Sequence, residues 1–195
     1  MLQSARSAAS AESSSRSTLF MTVLSATLVT LALAAQVLTI HKLLPLALVG
    51  LALDFFLGLV TYMRVLENGI EDYLYVKEMN RIRNFYTTVA PETAPYFVLS
   101  THDDPMGIHQ SMGMRLTWSQ GLLTSASSIL VINSTVGAVF CAVAVYAVTG
   151  EALPAVATGA VTAIGLGALL YRHLRRSWQL AEEDAPARFP TPEQT

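Results

Sequence analysis

An aspartate inside an apolar run is the residue best placed to do chemistry in this sequence. Asp54 lies about midway through Leu43 to Met63, and no other charged residue falls between Lys42 and Arg64. A carboxylate at bilayer depth is costly, so such a residue faces a bundle interior or an aqueous path. Two roles fit it: a proton or cation site, or a protonated or hydrogen-bonded side chain that fixes helix packing. A single carboxylate lays out no relay, and this favours packing. Asn133, at a similar depth in a later apolar run, is its predicted partner. Gly58, four residues after Asp54, shares its helix face and lets a neighbouring helix approach closely.

A second cluster, Thr101-His102-Asp103-Asp104-Pro105 with His109 beyond it, carries imidazoles and carboxylates of the kind that bind transition metals. Its spacing matches no zinc signature. Asp104 followed by Pro105 reads better as the N-cap and first residue of a helix running toward Trp118, and capping is the preferred assignment for the cluster. Met106, Met112, Met114, Leu116 and Trp118 would give that helix an adaptable apolar surface. Lys77, Arg81 and Arg83 form a third grouping. They are read as a solvated helix face, with Glu78 and Arg81 paired three residues apart, in preference to a ligand or lipid site.

The sequence has no phosphate-binding loop, HExxH, G-x-S-x-G or Cys-x-x-Cys, so the motif routes to an enzyme are empty. An intramembrane aspartyl protease would need a second carboxylate beside Asp54. No enzymatic activity and no cofactor are expected. The lone Cys141 sits in an apolar run and builds no disulfide framework.

The elements that must position these residues are apolar helices. Of 195 residues 52% are hydrophobic and 13% charged, which is too apolar for an ordinary soluble domain. Thr18 to Ile40, Leu43 to Met63, Gly121 to Val148 and Pro154 to Tyr171 are each near the roughly 20 residues that cross a bilayer core. A signal peptide ending at Ala32-Leu33-Ala34 competes for the first run. That run continues through Val37, Leu38 and Ile40, beyond the roughly 7 to 15 apolar residues of a signal core, and is read as a retained span. Its Thr22, Ser25, Thr27, Thr30, Gln36 and Thr39 are expected to bond mostly back to their own helix.

Orientation follows from Lys and Arg. Arg6 and Arg16 in the N-terminal arm, Arg64, Lys77, Arg81, Arg83 and Arg115 in the middle, and Arg172, Arg175, Arg176 and Arg188 in the tail make eleven of the 12 basic residues, with only Lys42 opposite. Both termini and the middle segment are predicted cytoplasmic, in a multi-pass protein of the plasma (inner) membrane. A net charge of −2 gives no reason to expect a nucleic-acid partner.

The fold class predicted is all-α: an integral membrane four-helix bundle with a cytoplasmic helical hairpin between its second and third spans. Residues 1–17 are expected to be a disordered arm, 18–63 the first transmembrane hairpin with its turn at His41 and Lys42, 64–120 the cytoplasmic segment, 121–171 the second hairpin and 172–195 a tail, mobile from Ala181. The second span should pass without interruption into a cytosolic helix whose apolar stripe is Leu66, Ile70, Tyr73, Leu74, Ile82, Phe85, Tyr86 and Val89. Pro91 and Pro95 should end it. In the fourth span Ala155, Gly159, Ala163 and Gly167 form a small-residue stripe for close packing. The functional expectation is a structural or interaction protein that assembles through its transmembrane and cytoplasmic helices, with the lipid bilayer, a cytoplasmic protein or a second copy as partners. The alternative is a small oligomeric ion channel or transporter using Asp54 and Asn133.

Overall fold

The computed structural model describes residues 2–113 and 124–192. Five α-helices account for most of them: α1 Leu2–Val37, α2 Ile40–Val89, α3 Pro105–Ser111, α4 Ser125–Thr149 and α5 Ala152–Asp184, with a 3-10 helix at Pro91–Tyr96. Among the described residues there is no strand. Helices α1, α2, α4 and α5 are long and apolar enough to cross a membrane. The chain divides into two units, one of 1–12, 67–124 and 176–195, the other of 13–66 and 125–175.

The second unit holds the apolar runs, and its burial pattern inverts that of a soluble bundle. Leu53 and Phe56 are 65% and 67% exposed, whereas Asp54 between them is 1% exposed. Apolar surface turned outward suits hydrocarbon, and the inner face is then free to use small and polar residues. A side chain added at Gly159 would lie 3.2 Å from the Ala138 carbonyl oxygen and 3.2 Å from the Ala142 Cβ, so α5 meets α4 backbone to backbone there. Ala155 and Gly159 are buried and Ala163 and Gly167 half-buried. The small-residue stripe therefore serves packing within this chain. Tyr62 is fully buried, and its hydroxyl donates to the Leu170 carbonyl at 2.8 Å, tying α2 to α5.

The helix boundaries differ from the sequence reading at the first turn. The first turn is Leu38–Thr39, and α2 already begins at Ile40, with the amides of Lys42 and Leu43 donating to Thr39. Pro45 consequently lies one turn inside the helix, where its missing N–H leaves the His41 carbonyl without the usual donor four residues on. The turn before α5 follows the expectation. Gly150 has φ of +70°, and its amide bonds the Tyr146 carbonyl at 2.9 Å, a left-handed cap that only glycine adopts without strain.

The first unit contains the larger correction. Residues 2–12, and with them 13–17 of the second unit, expected to be a disordered arm, instead form the start of α1. Ala5, Ala8, Ala9 and Ala11 favour helix, and extending a helix already nucleated by an apolar span is cheap. Arg6 then fixes the segment through Asp72, with Nε at 2.6 Å and Nη2 at 3.4 Å from its two carboxylate oxygens. The apolar core of this unit is small: Tyr73, Val76 and Ile108, with Leu74, Met79, Met112 and Trp178 against them. Tyr73 and Trp178 meet edge to face at 5.4 Å.

Candidate functional site

Two polar centres emerge, one in each unit. In the second unit Thr27 of α1 donates to Asp54 Oδ1 at 3.1 Å. Gly50, one turn before Asp54, allows this approach, since a Cβ there would stand 3.0 Å from the Thr27 methyl. Thr22 bonds back to the Thr18 carbonyl as expected of hydroxyls in this run, whereas Thr27 leaves its own helix for the carboxylate.

The bond predicted between Asp54 and Asn133 is not formed. Asn133 is fully buried, and neither its amide nitrogen nor its oxygen has a hydrogen-bond partner; the same holds for Asp54 Oδ2 and Ser134 Oγ. The reason is register along α2. Asn133 packs against Gly58 and Phe20, so a Cβ at Gly58 would collide with the Asn133 oxygen and stand 2.8 Å from its Cγ and from Phe20. Gly58 lies about 6 Å along the helix from Asp54. Equal depth by residue count placed Asn133 within one turn of the carboxylate without bringing it into bonding reach.

The first unit is organised around charged and amide side chains on the inner face of α2. Lys77 is 2% exposed and Asn80 0%, and Arg81 and Arg83 are half-buried, so the solvated face predicted for Lys77, Arg81 and Arg83 is corrected. The Lys77 ammonium lies 3.9 Å from Glu182 of α5 and 5.8 Å from the centre of the Tyr73 ring. Tyr73 donates its hydroxyl to Glu182. Burial pushes the Lys77 ammonium below and the Glu182 carboxyl above their ordinary pKa values. Asn80 donates to the His102 carbonyl at 2.7 Å and accepts from Arg83 at 2.5 Å and Ser111 at 2.9 Å. This one side chain therefore holds the loop before α3 and the end of α3 on α2.

Arg81 pairs with Asp103 at 2.6 Å, not with Glu78, and its Nη2 donates to the Pro186 carbonyl at 2.8 Å. Asp103 is fully buried. Its carboxylate also accepts the backbone amides of Arg188, at 2.9 and 3.0 Å, and of Phe189, at 2.7 Å. Burial alone would raise its pKa, but these donors and the Arg81 guanidinium hold it below the usual carboxylate range. The segment expected to be mobile is thus held at residues 186–191 by one carboxylate and its neighbour.

That neighbour, Asp104, caps α3 as predicted. Its Oδ1 accepts from the Gly107 amide at 3.1 Å and from the Thr191 hydroxyl at 2.8 Å, with Pro105 in the first helical turn. The helix ends at Ser111, short of Trp118; Met114, Leu116 and Trp118 lie outside the described residues. His109 bonds the Pro105 carbonyl through Nδ1. His102 lines a surface hollow of about 600 Å³ with Thr87, Phe97, Val98 and Gln110. Among the described residues no group of three or more His, Cys, Asp or Glu side chains is placed to share a metal ion.

The outer face of α2 completes the site. Ile82, Phe85, Tyr86 and Val89, predicted to continue the buried stripe, are 46%, 62%, 53% and 65% exposed. Nine residues separate Tyr73 from Ile82, and at 3.6 residues per turn that is a rotation of about 180°. The apolar positions cross from the inner to the outer face while polar ones take their place inside. Comparison of the chain with protein-family models, with curated proteins and with solved structures found no match.

Proposed function

We propose that the chain is a structural or interaction protein of a membrane. Four apolar helices anchor it, both termini and the first unit face the cytoplasm, and that unit offers the outer face of α2 to a partner. The observation that carries this reading is the inversion along α2. Lys77, Asn80 and Asp103 are buried and largely bonded, while Ile82, Phe85, Tyr86 and Val89 stand in the open. Exposed single apolar residues are ordinary, but several on one helix face beside a buried polar interior are the mark of a surface that is covered in use. The cross-bracing by Arg6, Asn80, Asp103 and Asp104 supports the same reading, because a face held rigid loses less entropy on binding. The cytoplasmic orientation rests on the Lys and Arg distribution.

Photo-cross-linking tests this. A photoreactive residue placed at Phe85 or Val89, in membranes of cells that make the protein, should give a discrete adduct of higher mass; one at Glu183 should not. Absence of any adduct from both apolar positions would refute the reading.

A second reading, a small oligomeric channel or transporter, draws on a separate observation. Asp54 Oδ2, both polar atoms of Asn133 and Ser134 Oγ are buried within the apolar helices without hydrogen-bond partners. Such atoms favour a hydrated or ion-bearing interior. The single carboxylate already bonded by Thr27 makes this the weaker of the two.

A further inference from the structure

Resting on the interaction reading, we infer that the outer face of α2 takes a basic amphipathic helix. Glu71, Tyr75, Glu78, Ile82, Phe85 and Val89 follow one another at intervals of four and three. That is the heptad spacing by which one helix receives another along a seam. The seam has two chemically distinct halves. Ile82, Phe85 and Val89 are exposed and apolar, and Glu78 and Glu71, one and two heptads before Phe85, are exposed and acidic.

Charge decides between occupants. Two copies in one bilayer present α2 in the same direction, so a symmetric pairing along this seam would set Glu71 against Glu71 and Glu78 against Glu78. Like charges at facing positions disfavour that pairing. An anionic lipid surface is disfavoured for the same reason. The ranges that make up the first unit hold 12 Asp and Glu against seven Lys and Arg, and acidic surfaces are repelled by anionic headgroups. A separate helix escapes both objections if it lays apolar residues on Ile82, Phe85 and Val89 and sets Lys or Arg opposite Glu71 and Glu78. Those two acids are about 10 Å apart along the axis, so the partner's basic residues are also one heptad apart.

Full-length protein in phosphatidylcholine nanodiscs, with empty discs as control, provides the test. Two labelled peptides of three heptads serve as probes, each with Leu on the half of its seam that meets Ile82, Phe85 and Val89, and with either Lys or Glu, one heptad apart, at the positions that meet Glu71 and Glu78. Fluorescence anisotropy should show the Lys peptide binding at least tenfold more tightly than the Glu peptide. Phe85→Asp, on an exposed face and checked for retained helicity, should weaken the Lys peptide at least tenfold. Glu71→Lys combined with Glu78→Lys should reverse the preference between peptides. Equal binding of the two peptides, or a preference untouched by the double charge reversal, would overturn the inference. So would self-cross-linking of a Phe85→Cys variant in discs holding two copies. If peptide preference fails while the Phe85 photo-adduct persists, only the partner's chemistry is wrong; if the adduct is also absent, the interaction reading fails with it.

Discussion

Replacing Asp103 by Asn should free the C-terminal segment while leaving the helices in place. The carboxylate takes one charged bond from Arg81 and the amides of Arg188 and Phe189. Asn offers one neutral acceptor and brings an NH2 group that would face those same donors. Losing a charge-assisted bond and stranding buried donors costs about 1–3 kcal/mol each. Arg81 keeps its bond to Pro186, and Arg188 and Phe189 are exposed enough for water to take over their amides. The opening free energy of residues 186–191 should therefore fall by about 2–4 kcal/mol, not by the full sum. Amide hydrogen exchange of the protein in nanodiscs reads this locally: protection of Arg188 and Phe189 should drop by about 30-fold or more. Because the folded-state pKa of Asp103 is depressed, its contribution is present above the ordinary carboxylate pKa and is lost as pH falls through the depressed value. Wild-type protection should thus be flat through neutral pH and fail only in acid. Equal exchange of these amides in wild type and Asp103→Asn would refute the latch.

Other substitutions probe other parts of the structure. Gly58→Ala should destabilise the second unit by about 1–3 kcal/mol, since its Cβ meets Asn133 and Phe20; thermal unfolding in detergent should show the loss and its partial relief by Asn133→Ala. Lys77→Met should be neutral to mildly stabilising, because the ammonium has no hydrogen bond and its stem is already buried. With its pKa depressed, Lys77 makes wild type gain stability as pH rises from the depressed value toward the ordinary lysine value, and Lys77→Met should remove that slope in denaturation measured from pH 7 to 10. Reporters after Arg16, at Gly107 and after Arg188 should report cytoplasm and one at Gly150 the outside; an external Gly107 would overturn the orientation.

The sequence reading anticipated the features that depend on local chemistry. The apolar runs, the uninterrupted α2, the Asp104-Pro105 start of α3 and the glycine turn before α5 all rest on composition or on residues adjacent in the chain. What it missed depends on residues far apart in sequence. Asp103 binds amides 85 and 86 residues away, and no local pattern separates such an anchor from a second capping residue. The arm at residues 2–17 looked disordered because serines dominate it, yet its alanines and one bidentate Arg6 suffice beside an existing helix. The stripe on α2 misled for a geometric reason. Spacings that sum threes and fours hide a half-turn, so only the burial of Lys77 and Asn80 exposes the change of face. A lysine and an asparagine about one turn apart, followed on the same helix face by Asn84 and Thr87, were the available signal.

Flux in proteoliposomes tests most directly the claim that this chain works as an interaction protein and not as a conduit. Asp54→Asn keeps an acceptor for Thr27 and a side chain of nearly the same shape, so the variant should fold; interhelical bonds in bilayers average only about 0.6 kcal/mol. Proton and potassium flux through wild type and Asp54→Asn should both match protein-free liposomes. Flux through the wild type that is lost in folded Asp54→Asn and restored by Asp54→Glu would contradict the account.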